Sequence, residues 1–197
     1  MIRLASTADA PGVAAIYGPV VATTAISFEV APPSEAEMAT RIAAALEHAP
    51  WLVCADGPAG TVLGFAYASR HRERAAYQWS ADVSVYVHEA ARRRGIGRGL
   101  YTSLLALLRL QGFYAAHAGI TLPNAASVGV HESLGFRPVG VYASVGFKLG
   151  AWHDVGWWQL PLRERRGAPR PPLALAEAQR LPGFALALAE GEALVRA

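Results

Sequence analysis

One stretch limits the fold of this chain more than any other. Val83-Ser84-Val85-Tyr86-Val87 keeps a valine at every second position, the period of a strand. It leads into Arg92-Arg93-Arg94-Gly95-Ile96-Gly97-Arg98-Gly99, and then into Leu100, Leu104, Leu107 and Leu108, spaced as the buried stripe of a helix. A strand entering a glycine turn at a helix N-terminus is an anion site: the backbone comes close, its N–H groups point outward, and the helix dipole adds positive potential. The arginines add attraction and phosphate hydrogen bonds. Two phosphate-binding loops are excluded. There is no Gly-Lys-Ser/Thr, and Leu100 stands where a dinucleotide fingerprint needs its third glycine.

The rest of the chain alternates strand and helix. Strands are predicted at Ile2–Ala5, Trp51–Ala55, Val62–Ala68, Trp79–His88, Ala115–Thr121, Pro138–Phe147 and Val155–Leu160. Val13, Ile16, Tyr17 and Val20 mark a helix over about Asp9–Thr23. Ser34 with Glu37 forms a capping box that opens a second. Asp56–Gly60 reads as a hairpin turn, and Asn124 as the N-cap of a short helix ended by Gly135. Three parts are expected: a domain over 1–162, an Arg/Pro linker over 163–173, and an Ala/Leu/Glu-rich helical tail over 174–197.

Composition narrows the class. Hydrophobic residues at 53% with only 17% charged exclude a disordered chain. A single cysteine, Cys54, excludes a disulfide framework and reads as a small core residue. No apolar run is long enough to span a bilayer, and the N-terminus lacks a signal peptide's apolar segment, so a cytoplasmic protein off the membrane is expected. The net charge of +3 comes from arginine, Lys148 being the one lysine. The cluster at Arg92–Arg98 suits an anion, but no aromatics interleave it, which argues against nucleic acid. No histidine pair has metal-ligand spacing, so no metal is expected.

The unit Val-x-Val, Arg-x-x-Gly-x-Gly and leucine helix resembles motif A of the GNAT superfamily of N-acetyltransferases. Asn124 through His131 to Gly135-Phe136 is similar to its motif B. Trp79–Val87, Gly119–Asn124 and Gly146-Phe147-Lys148 through Trp152–Gly156 narrow the resemblance to the phosphinothricin N-acetyltransferase family, over most of residues 1–162. The resemblance implies an α+β fold of three layers, a mixed, mostly antiparallel sheet flanked by helices. It implies acetyl-CoA held by Val85, Tyr86, Val87, Arg92, Arg93, Arg94, Gly95, Ile96, Gly97, Arg98, Asn124 and Ser127. It implies a homodimer and a small amino-acid acceptor, phosphinothricin or methionine sulfoximine or sulfone, detoxified by acetylation.

Acetyl transfer to an amine needs a neutral nucleophile, and hence a positioned base. Asp82, a carboxylate in an apolar strand, occupies the position where the subfamily carries a glutamate base. Aspartate is one methylene shorter, which favours a water relay; the alternative is a carboxylate satisfied by backbone or an arginine. His131, where most of the superfamily has an acidic tyrosine, is the second catalytic candidate, in either acid or base role. Arg72 and Arg74 align with basic residues near the substrate and suit its carboxylate. Phe28 and Glu29 fall in a loop over the acceptor site, as a wall and an ammonium contact. Direct transfer in a ternary complex follows from the absence of an exposed thiol. The rival readings are another small amine, an aminoglycoside or polyamine, or a silent acyl-CoA-binding regulator.

Overall fold

The computed structural model describes residues 1–57 and 60–196, so part of the turn expected at 56–60 and the last residue of the tail lie outside the described residues. In chain order the elements are β1 (Ile2–Leu4), α1 (Ala10–Thr23), α2 (Glu35–Leu46), β2 (Trp51–Ala55), β3 (Val62–Arg70), β4 (Ser80–Val87), α3 (Ile96–Gln111), β5 (Ala115–Leu122), α4 (Ala125–Ser133), β6 (Arg137–Lys148), β7 (Ala151–Pro161), α5 (Leu175–Ala178) and α6 (Phe184–Ala189). Short 3-10 turns at Ala75–Tyr77 and Glu192–Leu194 matter below. The Ser34 capping box forms as predicted, with Oγ accepting from Glu37 N–H at 3.2 Å. The β6–β7 hairpin extends beyond expectation because Leu149 and Gly150 take φ of 52° and 78°, a two-residue turn whose twist matches its strands.

The strands form a single sheet in the order β1-β2-β3-β4-β5-β7-β6. Every neighbouring pair is antiparallel except β4 and β5. That parallel ladder holds only Ser80–Ala115, Ala81–Ala116 and Asp82–His117, although both strands run on. The sheet therefore forks immediately after Asp82. Period-2 alternation sends Ala81 and Val83 into one core with α3 and sends Phe65 into the other with α1 and α2. Leu100, Leu104, Leu107 and Leu108 are fully buried, the stripe read from the sequence.

The C-terminal segment is docked, a point on which the sequence is silent. Trp79 Nε1 donates to the Arg170 carbonyl at 2.8 Å, and Gln111 Nε2 donates to the carbonyls of His48 and Leu173. Leu175, Ala178 and Phe184 enter the α3 core. The chain end then reaches the glycine turn: Arg196 N–H donates to the Arg94 carbonyl at 2.9 Å, and Gly191 lies so close to Gly99 that a Cβ on either would strike the other's backbone oxygen. The lone lysine is also structural. Lys148 Nζ donates to the carbonyls of Val21 and Ser27 at 2.6 and 2.7 Å, tying β6 to the last turn of α1 and to the loop that follows it.

Candidate active site

The glycine turn is built as an anion cradle. Arg93 and Gly95 take φ of 63° and 77°, left-handed values separated by one residue. Gly95 caps α3 without a side-chain acceptor, and the first N–H of the α-helical pattern is that of Gly99, bonded to the Gly95 carbonyl at 2.8 Å. The N–H groups of Ile96, Gly97 and Arg98 are thus the ones a helix start leaves without intrahelical acceptors. Arg92, Arg93 and Arg98 are exposed around them, and half-buried Arg94 reaches back to the Arg196 carbonyl. Ile96 is 1% exposed, so it can offer a ligand its N–H but not its side chain. A Cβ at Gly97 would only touch Val87 and Val85, which sit on the strand beside the turn.

Downstream of the turn, the fork opens a narrow slot of about 50 Å³. Val83 to Tyr86 form one wall, Gly119 to Thr121 the other, and Asn124, Ser127, His131 and Tyr101 lie along it. Asn124 caps α4, its Oδ1 accepting from Ser127 N–H at 3.1 Å. His131 is 3% exposed, and both ring nitrogens are used. Nδ1 donates to the Ser127 carbonyl at 2.7 Å, which leaves Nε2 to accept the Tyr101 hydroxyl at 2.9 Å. Burial lowers the His131 pKa and holds the Tyr101 phenol well above its ordinary value. The neutral imidazole thus orients a hydroxyl that lines the slot; Tyr101 was not singled out in the sequence because it reads as one more apolar position of α3.

Asp82 stands at the last paired position before the fork. Its Oδ1 accepts from His71 Nδ1 at 2.7 Å. Burial raises the Asp82 pKa, with the His71 hydrogen bond and charge opposing. His71 stacks on His117 at 4.3 Å, and the donor atoms of His71, Asp82 and His117 all lie within 4.8 Å of one another. Sequence spacing could not reveal that cluster, because three separate strand ends supply it. His71 also lines a cavity of about 750 Å³ with Tyr17, Arg41, Tyr67, Arg72 and Arg74. The Arg72 guanidinium lies 5.8 Å from the Trp157 ring centroid, and its Nη1 donates to the His71 carbonyl at 2.8 Å.

Two expected acceptor contacts have other partners. Glu29 receives both Arg41 guanidinium nitrogens at 2.7 and 2.9 Å and the Tyr17 hydroxyl at 2.8 Å. Arg41 holds its pKa below the ordinary value, so Glu29 is an ionised anchor for Tyr17 rather than an unpaired partner for an ammonium. Phe28 is half-exposed, its ring lying over Gly146 and 6.3 Å from that of His153.

Residues 2–157 match the family described as an acetyltransferase (GNAT) domain. The chain belongs to the GNAT acetyltransferase family. It is accordingly an N-acetyltransferase that draws on acetyl-CoA. It is 38% identical over 170 residues to a phosphinothricin N-acetyltransferase of Streptomyces viridochromogenes, a match covering 86% of this chain and 91% of that one. It is 39% identical over 169 residues to an L-methionine sulfoximine/L-methionine sulfone acetyltransferase of Pseudomonas paraeruginosa, covering 85% and 98%. A crystal structure of a GNAT phosphinothricin acetyltransferase from Sinorhizobium meliloti in complex with AcCoA aligns with a TM-score of 0.81 at 35% identity, covering 86% and 92%. The donor set here fits such a cosubstrate: a left-handed turn whose first helical amides lack intrahelical acceptors, beside the β4 edge at Val85, which also lines the slot. No helix among the described residues is long and apolar enough to cross a membrane.

Proposed function

We propose that this enzyme acetylates the α-amine of a small amino-acid analogue of the phosphinothricin and methionine sulfoximine class, by direct transfer in a ternary complex. The observation that carries the reading is the juxtaposition at the fork: the slot begins at Val83, the residue after Asp82, and His71, hydrogen-bonded to Asp82, lines a cavity that also presents Arg72 and Arg74. Acetyl-CoA supplies the activated thioester, held through the N–H groups after Gly95 and along the β4 edge at Val85 to Val87. Asp82 and His71 hold the amine neutral, and Tyr101 backed by His131 faces the departing sulfur. The Cys54 thiol is buried and its pKa raised by that burial, which disfavours a covalent acetyl-enzyme.

Arg72 and Arg74 distinguish this acceptor class from polyamines and aminoglycosides, which bring positive charge to a positive wall. In the Arg72→Ala/Arg74→Ala double variant, KM for a carboxylate acceptor is expected to rise about tenfold or more per arginine, from roughly 1.5–3 kcal/mol per charged hydrogen bond, with kcat little changed. The check is a thiol-release assay with phosphinothricin, its carboxamide, methionine sulfone and spermidine. Wild type that prefers spermidine, or an amide used as well as the acid, would discard the carboxylate grip. Silence with every acceptor while acetyl-CoA still binds would favour the non-catalytic binder.

We also assign the sheet's terminal strand to a dimer contact. Val139, Val141, Tyr142 and Phe147 on β6, with Trp152 on β7, are each more than half exposed, an unusual apolar load for an edge. Sedimentation should give a homodimer, and Val141→Glu should shift it toward monomer with little loss of melting temperature. A monomeric wild type at micromolar concentration would remove the assignment.

A further inference from the structure

Within the N-acetyltransferase reading, on which this inference rests, we infer that the group accepting the amine proton is His71 Nε2, with Asp82 as the carboxylate that orients it. Asp82 is a short side chain on a paired strand, and Oδ1 is committed to His71 at 2.7 Å. His71, and not Asp82, is among the residues that line the 750 Å³ cavity. The ring is held on every side: Asp82 of β4 on Nδ1, His117 of β5 stacked at 4.3 Å, Tyr77 of the following 3-10 turn at 5.8 Å, and Trp157 of β7 edge-on at 6.1 Å. A carboxylate on Nδ1–H fixes the tautomer in which Nε2 carries the lone pair.

The charged neighbours suit a ring that gains a proton. Asp82 supplies the countercharge. His117, the one imidazole in contact, is pushed down to about 4, chiefly by burial with His71 next, and so stays neutral across neutral pH. Its Nδ1 is buried without a hydrogen-bond partner. Arg72, on the same loop, lies over the Trp157 face with Nη1 on the His71 carbonyl, so its positive charge opposes an imidazolium and the directly bonded Asp82 must outweigh it.

The proton count closes. The bound ammonium passes one proton to Nε2, giving an imidazolium paired with Asp82. The freed nitrogen lone pair forms the N–C bond at the acetyl carbon. The C–S bond breaks with its electron pair on sulfur, and the nitrogen's second proton is lost as the amide forms. One proton goes to the thiolate and one to solvent, so each turnover releases a single proton.

The test combines kinetics with a measurement that needs no turnover. ¹⁵N NMR of histidine-labelled enzyme should show His71 with Nδ1 protonated and Nε2 bare, a pattern abolished by Asp82→Asn. His71→Ala and His71→Gln should each lower kcat about 10²-fold or more, with acetyl-CoA affinity by calorimetry unchanged and the acid-side limb of the kcat–pH profile lost. Added imidazole should restore part of the rate to His71→Ala. So should Asp82→Glu in the same background, since a longer carboxylate can reach the amine itself. The opposite tautomer, or glutamine at 71 keeping kcat within threefold and the pH limb intact, would overturn the relay and leave His71 a packing residue. Activity that requires an added divalent ion and dies with chelator would also overturn it, making the three residues a metal site. If wild type shows the predicted tautomer yet acetylates nothing, the acetyltransferase reading has failed and not the His71–Asp82 geometry.

Discussion

Asparagine at position 82 is expected to lower kcat by about 10²–10⁴-fold, the usual worth of a positioned base. The amide has the carboxylate's shape but lacks its charge, and its NH₂ can turn toward His71 and invert the tautomer. Acetyl-CoA binding should survive, because the turn and the slot draw on backbone N–H groups and on Asn124, Ser127 and Tyr101. Stability supplies a second, independent sign. Burial raises the Asp82 pKa despite the His71 hydrogen bond, so the folded chain holds that proton more tightly than the unfolded one. The stabilisation this brings is present below the ordinary carboxylate pKa and is lost as pH rises through the folded value. At neutral pH the ionised side chain is therefore a net cost to folding. Asp82→Asn should keep or raise the melting temperature while turnover collapses, as measured by calorimetric scans beside steady-state kinetics. A lower melting temperature with equal losses in kcat and acetyl-CoA affinity would identify a structural carboxylate instead.

Ending the chain at Leu162 is expected to cost a large share of the protein's stability margin. Leu175 and Phe184, 3% and 8% exposed, leave the α3 core with the tail. At roughly 1.5–3 kcal/mol for each buried side chain, that is about 3–6 kcal/mol of a margin of about 5–15 kcal/mol. At about 2–4 °C per kcal/mol for a domain of this size, the melting temperature should fall by roughly 6–24 °C. The Arg94–Gly95 turn also loses its backing, because Arg196 bonds Arg94 and a Cβ at Gly95 would strike the Leu194 carbonyl oxygen. KM for acetyl-CoA should accordingly rise. Phe184→Ala separates the two effects: it should lower stability in the same direction while leaving more of the turn's support. A truncated chain with unchanged melting temperature and KM would mean that the tail is undocked in solution.

Much of the fold was legible because the signals are local. The leucine stripe of α3, the alternation of β4, the Ser34 box and the Asn124 cap each lie within a few residues, where periodicity and side-chain reach report the backbone directly. The cosubstrate turn is legible for the same reason, since its glycines, arginines and helix start are contiguous. The acceptor side is not. Glu29 reads as an ammonium contact in the sequence, but the fold brings Arg41 and Tyr17 to it from two helices. His71 and His117 carry no signal in their own segments, because their partners, Asp82 and Trp157 for His71 and His71 for His117, lie on other segments.

The sequence by itself determined the α+β architecture, the anion turn at Gly95, the family and the identity of the strand carboxylate at Asp82. Only the tertiary structure decided which side chains Asp82 meets, that Tyr101 and His131 share the slot, and that residues 174–196 belong to the core. The reason is the sheet itself: strands distant in sequence pair side by side, β4 and β5 part after three paired positions, and the contacts made there depend on register and face. Neither is written in any single segment.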